Sequence, residues 1–354
     1  MTNRQDSEPG HSREDSPAAT TGQTLQRRED DIRADIPLAT RNPELLKEVK
    51  RLSRLQPARA IANIAFNWVV IGCAITGAIV YPGVLTWVAA IIIVGARQHA
   101  LLIIMHDASH FRIARSRIWN DVISDAFCSI PLFVRTASYR ASHIKHHQHL
   151  NTDKDPDWVR KEHNPKFSFP KSKSAFLRMM LEELCWEGFK SIASAIYGIR
   201  RQGAQQRSRY RSLRGRIYSL LIITAFVALV AILYLVGALH YYLLFWLLPA
   251  VTVLPVVLFM RSIAEHFGLE RDHELNSSRF YTGPWWERAF IAPHNVGHHL
   301  DHHLYPSVPF YNLPKLHTLL MKDPEYRARA HRNDNYFGPG GKSILNDVCQ
   351  DGAT

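Results

Sequence analysis

Cysteine is scarce in this chain, and the four that occur are scattered. They are Cys73, Cys128, Cys185 and Cys349, and no two of them form a CxxC pair. This arrangement argues against a disulfide framework, a cysteine-bound zinc site and an iron–sulfur cluster. The first 40 residues also lack the apolar core of a secretory signal, so no such signal is predicted.

Two long stretches of the chain contain no charged side chain. Asp, Glu, Lys and Arg are absent from residues 61–96 and again from residues 217–260. Because a bilayer core about 30 Å thick needs roughly 20 apolar residues per helix, each stretch is long enough for two crossings. Turn signals at Tyr81-Pro82-Gly83 and near Gly237 divide the stretches. The sequence predicts four spans, near residues 60–80, 84–104, 217–236 and 241–262. Two buried hairpins in a soluble core are the disfavoured alternative.

Positive charge is abundant, and the formal net charge is +12. Nucleic-acid binding would account for such a charge, but no nucleic-acid-binding motif accompanies it. Residues 200–216 include seven Arg and no acid, directly before the second apolar stretch. Cations at such positions fit the cytoplasmic side of a bilayer. The sequence therefore predicts a multi-pass membrane protein with both termini and residues 106–215 in the cytoplasm, and no nucleic-acid partner.

Composition and periodicity divide the chain into four parts. Residues 1–40 are polar and lack a hydrophobic period, which is typical of a disordered tail. Residues 41–58 carry apolar side chains at helical spacing among Lys and Arg, which predicts an amphipathic helix that lies at the membrane interface or packs on the cytoplasmic domain. Residues 59–317 form the main domain, in which residues 118–134 are predicted to be interfacial or re-entrant, and residues 318–354 form a cytosolic C-terminal tail.

The chain contains 19 histidines, and three clusters of them follow the predicted spans. The clusters are His106 with His110, then His143, His146 and His147, then His299, His302 and His303. On a helix, positions i, i+3 and i+4 share one face, so each cluster can direct its imidazoles at one point. Eight imidazoles exceed the needs of one ion, which indicates two metals from among iron, copper, zinc and nickel. Isolated histidines such as His317 are interpreted as structural.

Two other classes of protein could use many histidines. A metal-storage loop would not need fixed helical spacing between its ligands. A transporter would place polar ligands within the spans, at the depth of the bilayer centre. The uncharged stretches contain few side chains of that kind, so both classes are disfavoured.

The order HxxxH, HxxHH, HxxHH between two apolar hairpins resembles the membrane fatty acid desaturase and hydroxylase superfamily. The resemblance runs from about Leu101 to His317 and is most specific in the segment from Asn295 to Pro306, NVGHHLDHHLYP. The following residues, as far as His317, are similar to those of bacterial members. The segment Asp155-Pro156-Asp157 resembles a DPD sequence that the family carries after its second cluster.

The resemblance implies an all-α membrane protein, with four transmembrane helices in two hairpins and a cytosolic helical cap that holds two Fe ions. It implies O2 as co-substrate and His266 as a further ligand beside the three clusters. Asn295 corresponds to an asparagine that can hold a metal-bound water, and Asp155 and Asp157 are expected to orient imidazoles from outside. The resemblance leaves open whether His298 or only His299 faces the metals. A bacterial inner membrane is the expected location.

The resemblance also implies that electrons come from another protein. The chain has no HPGG haem-binding motif and no ferredoxin-like cysteines. It should therefore depend on an external ferredoxin, rubredoxin or cytochrome with its reductase. A basic cytosolic face would suit an acidic donor of this kind.

The implied activity is that of an O2-dependent di-iron desaturase that inserts a double bond into the alkyl chain of a fatty acyl lipid. Hydroxylation or ketolation of a lipid or carotenoid is the alternative, since both outcomes begin with removal of one hydrogen. A non-catalytic membrane metal-binding protein is a second alternative. Phe280, Trp285 and Trp286 could line a substrate channel or could anchor the protein at the membrane surface.

Overall fold

The computed structural model of the protein describes residues 43–190, 213–271, 273–338 and 342–350. The predicted tail at residues 1–40 and most of the arginine-rich run at 200–216 lie outside these residues. Helices dominate the part that is described. Its first half contains α1 (Pro43–Leu52), α2 (Pro57–Val80), α3 (Val84–Ser109), α4 (Arg117–Ser124), α5 (Thr136–Gln148), α6 (Pro156–Glu162) and α7 (Lys173–Glu182).

The second half of the described chain adds nine helices and a small sheet. The helices are α8 (Leu213–Leu235), α9 (Leu239–Tyr242), α10 (Leu248–Val251), α11 (Val253–His266), α12 (Trp285–Phe290), α13 (His299–Leu304), α14 (Leu313–Leu320), α15 (Pro324–Arg329) and α16 (Ile344–Val348). Strands β1 (Arg279–Tyr281) and β2 (His331–Asn333) pair in parallel. This sheet is a departure from the all-helical prediction, and strands of three residues leave almost no periodic signal in a sequence.

The first apolar stretch forms the hairpin of α2 and α3. Pro57 stands at the first position of α2, where the missing N–H of proline has no helical partner to lose. Pro82 and Gly83 separate the two helices, as the turn signal predicts. Both helices are long and apolar enough to cross a membrane.

The second apolar stretch is less regular. Residues 239–266 form a third helix that is long and apolar enough to cross a membrane, although α9, a π-helical turn at Leu243–Leu247, α10 and α11 divide it. Pro249 lies in this irregular region and cannot donate a helical hydrogen bond. In α8, the described residues include the shorter apolar segment Leu220–Leu235. Among the residues that the structure describes there are thus three candidate spans, and the four-span count remains a prediction.

Helices α3 and α11 approach each other closely at a glycine. A Cβ atom added to Gly95 would lie 2.5 Å from Cβ of Val253, well inside van der Waals contact. The absence of a side chain at Gly95 allows the two helices to pack together. They run in the same direction, and His106 of α3 and His266 of α11 come together at their C-terminal ends. This packing helps to bring distant parts of the sequence to one site.

The segment at 118–134 lies on the surface and exposes apolar side chains. It consists of α4, a π-helical turn at Asp125–Ser129 and a short 3-10 turn. Ile118 and Trp119 are 75% and 62% exposed. The carboxylate of Asp125 accepts hydrogen bonds from Ser129 and from the backbone N–H of Thr136, which folds the segment back onto α5. An exposed apolar surface of this kind is what an interfacial segment requires.

Both ends of the described chain pack on the histidine-bearing domain. The apolar face of α1 is buried, and the side-chain N–H of Asn312 donates to the carbonyl of Leu52. Of the two alternatives for α1, the structure favours packing on the domain. Beyond residue 317, Leu320 and Tyr326 are fully buried, and β2 pairs with β1. The segment for which the sequence suggests only a tail is therefore largely part of the fold.

Candidate metal centre

Four helices and one adjoining turn position the predicted histidines. His106 lies in the last turn of α3, His110 directly follows that helix, and His266 ends α11. Helix α5 carries the second cluster and α13 carries the third. Six of the nine imidazoles are buried, and those of His110, His147 and His303 are half-buried. The structure thus brings nine side chains from five parts of the chain to one place.

The nine imidazoles fall into two groups, in each of which the ligand nitrogens lie within 4.8 Å of one another. Group A consists of His106, His110, His143, His147 and His302. Group B consists of His146, His266, His299 and His303.

Helix geometry accounts for this division. Residues four apart on a helix point in nearly the same direction, whereas adjacent residues diverge by about 100°. In α5, His143 and His147 therefore face group A while His146 faces group B. In α13 the assignment is exchanged: His299 and His303 face group B while His302 faces group A. Each HxxHH sequence contributes to both groups, which ties them into one centre.

The contacts within the groups are nitrogen to nitrogen. Nε2 of His143 lies 3.0 Å from Nε2 of His110 and 3.1 Å from Nε2 of His147. A single N–H on Nε2 of His143 can donate to one of these two nitrogens, but it cannot form a good hydrogen bond to both. Nε2 of His106 is buried with no hydrogen-bond partner among the described residues. Bare lone pairs that converge in this way repel unless a cation lies between them.

The spacing also fits coordination geometry. Metal–imidazole bonds are about 2.1 Å long, so two of them at a right angle place their nitrogens about 3.0 Å apart. In group B, Nε2 of His299 lies 3.1 Å from that of His266 and 3.0 Å from that of His303. Both groups therefore fit a transition metal with imidazole ligands, and they contain no thiolate.

Lowered pKa values keep imidazoles of both groups in the neutral form that ligates metals. Burial, together with nearby Arg112 and Arg140, lowers the pKa of His110 to about 4. Burial, together with neighbouring histidines, lowers the pKa of His147 to about 2. The same causes place the pKa of His302 and His303 well below the ordinary value. At neutral pH these nitrogens carry lone pairs rather than positive charge.

Of the two aspartates expected to orient imidazoles, only Asp155 forms a hydrogen bond to a histidine of the two groups among the described contacts. Nδ1 of His146 donates to Oδ2 of Asp155 at 2.8 Å. A carboxylate can only accept, so the proton is on Nδ1 and the lone pair of Nε2 faces group B. Asp157 instead forms an ion pair with Lys161 at 2.5 Å. Its carboxylate stabilises α6 as an i, i+4 pair.

Glu265 is a neighbour of the histidines that the sequence reasoning missed. Its Oε1 lies 3.3 Å from Nδ1 of His299, and the carboxylate is also paired with Arg261 at 2.5 Å. An acid directly before His266, with an arginine four residues before that acid, was a sequence signal that could have identified this role. Tyr139 lies one turn from His143 in α5 and approaches its Nδ1 at 3.4 Å.

Asn295 and His298 lie at the edge of the site. The side-chain N–H of Asn295 donates to the carbonyl of Phe310 at 3.0 Å, and its backbone has a φ of +59°. Phe310 in turn donates its backbone N–H to Oδ2 of Asp107, next to His106. Nδ1 of His298 donates to Asp301, away from both groups. His299, rather than His298, therefore joins the histidine centre.

An apolar cleft of about 800 Å³ lies beside α2, α8 and α9. Trp68 and Trp246 form part of its wall and stack on each other with centroids 5.3 Å apart. None of the three aromatic residues considered for a channel lines this cleft: Trp285 is 72% exposed, Trp286 lies beside it on α12, and Phe280 is buried against His317.

The sequence is similar to those of known desaturases. Residues 82–334 match the family model for fatty acid desaturases. A dihydrorhizobitoxine desaturase from Bradyrhizobium elkanii is 30% identical over 311 residues, covering 83% of this chain and 85% of that protein. The human sphingolipid delta(4)-desaturase/C4-monooxygenase is 26% identical, covering 83% of this chain and 84% of that protein. An sn-1 oleoyl-lipid 12-desaturase from Anabaena variabilis is also 26% identical, covering 80% and 83%.

Proposed function

Because the chain belongs to the fatty acid desaturase family, we propose that this oxidoreductase is an O2-dependent di-iron enzyme that inserts a double bond into the acyl chain of a membrane lipid. The observation that carries the proposal is the convergence of nine imidazoles, six of them buried and three half-buried, in two adjoining groups. The proposed ligands are those nine side chains. Asp155 and Glu265 orient His146 and His299 from outside.

The proposed reaction removes two hydrogens from neighbouring methylenes. With O2, two electrons and two protons, it yields the alkene and two molecules of water. Ordinary acid–base side chains do not attack unactivated C–H bonds, so the bound irons would supply the oxidising power. Reduction of O2 to two waters takes four electrons, and the substrate supplies only two of them. An external donor must provide the other two, and a ferredoxin, rubredoxin or cytochrome with its reductase fits that need.

The protein's own contribution is to hold and to shield the site. Burial keeps imidazoles such as those of His299 and His302 neutral, and packing fixes their direction before a metal arrives. The short hydrogen bond from His146 to Asp155 fixes the tautomer that presents Nε2 to group B. Apolar residues of α3 that precede His106, such as Leu102 and Met105, are buried around the site and help to exclude water.

The choice of a lipid substrate is supported by the membrane helices and by the apolar cleft. A volume of about 800 Å³ falls within the range of roughly 300–1,000 Å³ that is typical of ligand sites. One relative is named for an sn-1 oleoyl lipid and another for a sphingolipid. In the proposed topology four spans carry the chain and both termini are cytoplasmic, with the histidines at the cytoplasmic face of a bacterial inner membrane.

Hydroxylation is the second candidate, and one specific observation favours it. The human relative is named both as a desaturase and as a C4-monooxygenase, so one protein of this kind has both outcomes. Product mass separates the two: desaturation removes two hydrogens, whereas hydroxylation adds one oxygen.

The deciding experiment is expression in a bacterium together with a ferredoxin and its reductase, followed by mass profiling of total lipids. We expect a new lipid series two hydrogens lighter than its precursor. His302→Ala should abolish the series, whereas His240→Ala, a histidine on α9 outside both groups, should leave it unchanged. A series heavier by one oxygen would support hydroxylation. Purified protein that holds two irons but consumes no O2 with any reductant and lipid would overturn both.

A further inference from the structure

A third group of side chains lies on the side of α13 away from the two histidine groups. Asp301 is fully buried, and its Oδ2 accepts hydrogen bonds from Nδ1 of His298 at 3.1 Å and Nδ1 of His317 at 3.0 Å. The hydroxyl of Tyr326 donates to the other oxygen, Oδ1. These four residues are called the Asp301 cluster below.

The position of Asp301 on α13 makes this cluster the counterpart of the histidine centre. Around the helix axis, Asp301 is about 100° to 160° away from His299, His302 and His303. His298 precedes Asp301 by three residues and lies on the same side as Asp301. One side of the helix therefore presents three imidazoles to groups A and B. The other side presents the Asp301 carboxylate to His317 and Tyr326.

Helix α13 needs such support because it is short. It contains six residues, fewer than two turns, and isolated helices of that length are not stable in water. Its orientation must come from tertiary contacts. The Asp301 cluster provides them from two further helices, since His317 belongs to α14 and Tyr326 to α15. The ring of Phe280, from β1, packs on His317 with centroids 4.3 Å apart.

The contacts of the cluster differ in kind from those of the histidine groups. Here each contact joins a nitrogen or hydroxyl donor to a carboxylate oxygen, so one proton satisfies it. In groups A and B the contacts join nitrogen to nitrogen, which a cation satisfies better. Although His298, Asp301 and His317 are close enough to hold an ion, hydrogen bonds already account for their geometry. A metal is not needed to explain the cluster.

The geometry points to Asp301 as a positioning residue, which clamps α13 so that His299, His302 and His303 face the metal groups before any metal binds. This inference rests on the proposed function, because it takes those three histidines as ligands. Loss of the clamp should let α13 turn or fray. Both groups would then lose rigidly placed nitrogens, because α13 contributes to both.

The test compares purified full-length variants by iron content, by iron affinity in a chelator competition and by the spectrum of the bound iron. Asp301→Leu removes all three hydrogen bonds and should lower iron affinity at least tenfold and alter the spectrum. Asp301→Asn keeps an acceptor for the two imidazoles, and the Tyr326 hydroxyl can turn to accept from its amide. It should therefore recover most of the affinity, which a purely charge-based role would not allow.

A matched pair of histidines controls for a general loss of stability. His317→Leu removes one histidine–aspartate bond within the cluster. His331→Leu removes a similar bond elsewhere, between Nε2 of His331 and Asp347 at 2.8 Å. We expect His317→Leu to weaken iron binding several-fold and to shift the iron spectrum. We expect His331→Leu to leave both unchanged. If Asp301→Leu does not fold, this pair still decides the question.

The possible contrary outcomes are distinct. Wild-type iron affinity and spectrum in both Asp301→Leu and His317→Leu would overturn the inference. Three metal ions per wild-type chain, falling to two in His317→Leu, would overturn it as well and would make the cluster a metal site. Wild-type protein that binds no iron would instead overturn the proposed function.

Discussion

Asp155 offers a sharp test of how the histidines are held, because its two oxygens serve the site and the local fold separately. Oδ2 accepts from Nδ1 of His146 at 2.8 Å and from the backbone N–H of Asn151 at 3.1 Å. Oδ1 accepts from the backbone N–H of Asp157 at 2.8 Å and caps the N-terminus of α6. Asp155→Ala removes all of these contacts.

Two separate losses should follow from Asp155→Ala. Loss of an N-cap costs about 0.5–2 kcal/mol in the free energy of unfolding. Loss of the outer partner of a ligating imidazole lowers metal affinity about 10- to 100-fold, which corresponds to about 1.4–2.7 kcal/mol in binding. We therefore expect both a less stable metal-free protein and weaker iron binding.

Asp155→Asn separates the two effects. Its amide oxygen can still cap α6, so the variant should be more stable than Asp155→Ala, although the bond from the backbone N–H of Asn151 is lost. Its NH2 group would then face Nδ1 of His146, which favours an unprotonated Nδ1 and moves the imidazole proton to Nε2. A protonated Nε2 cannot ligate. Iron affinity should therefore fall about as far as in Asp155→Ala.

The assays are a chelator competition for iron in detergent solution and thermal unfolding of the metal-free protein. Ser172→Ala is the matched control, since Ser172 caps α7 by accepting from the backbone N–H of Ala175 at 3.3 Å. It should cost about 1 kcal/mol of stability with no change in iron affinity. Wild-type iron affinity in Asp155→Ala would refute the view that this carboxylate fixes the ligand.

Other predictions follow from single contacts. His302→Ala should lower iron content and abolish turnover while the protein stays in the membrane fraction; full turnover would refute the ligand assignment. Gly95→Ala would place a Cβ 2.5 Å from that of Val253, so it should destabilise the fold by about 1–3 kcal/mol, measured by thermal unfolding; unchanged stability would contradict the close packing of α3 on α11. Burial and nearby Arg97 lower the pKa of His294 to about 3, below the ordinary value of about 6.5. As the pH falls, His294 therefore binds a proton in the unfolded chain before it does so in the folded protein. Its contribution to the free energy of unfolding is present above pH 6.5 and is lost progressively down to about pH 3. His294→Gln should reduce the drop in unfolding temperature between pH 7 and pH 5, and an unaltered drop would contradict this. Deletion of residues 2–38 should leave iron content and activity intact; loss of metal on truncation would contradict the tail interpretation.

Much of the centre could be predicted because short-range helix geometry governs it. The spacing of His143, His146 and His147 predicts that their imidazoles share one side of α5, although it did not predict that His146 faces group B while the other two face group A. The family resemblance, which is confirmed by the match over residues 82–334, added His266. The structure places that side chain in group B.

The surrounding contacts could not be predicted in the same way, because they depend on which distant residues meet. Asp155 and Asp157 are equivalent in sequence terms, yet Lys161 stands one turn from Asp157 and pairs with it. Glu265 reaches His299 only because the C-terminal end of α11 lies beside the N-terminal end of α13. Tyr326 lies beyond the last recognisable motif, in a segment without strong periodicity, and is nevertheless fully buried.

The candidate membrane helices likewise have some features that the sequence predicts and others that it does not. Absence of charge and the Pro82-Gly83 turn were enough to place α2 and α3. The last span is interrupted by a π-helical turn at Leu243–Leu247 and by Pro249, and no hydropathy pattern specifies such breaks. The bounds of this helix, Leu239–His266, are nevertheless close to the predicted 241–262, because the uncharged stretch ends just before Arg261.

X-ray absorption at the iron edge, on protein loaded anaerobically and washed of loose metal, tests the central claim most directly. We predict about two irons per chain, each surrounded by imidazole nitrogens, with a second iron as a close neighbour and no sulfur ligand. A single iron per chain, or a shell dominated by sulfur or by carboxylate oxygen, would contradict that claim.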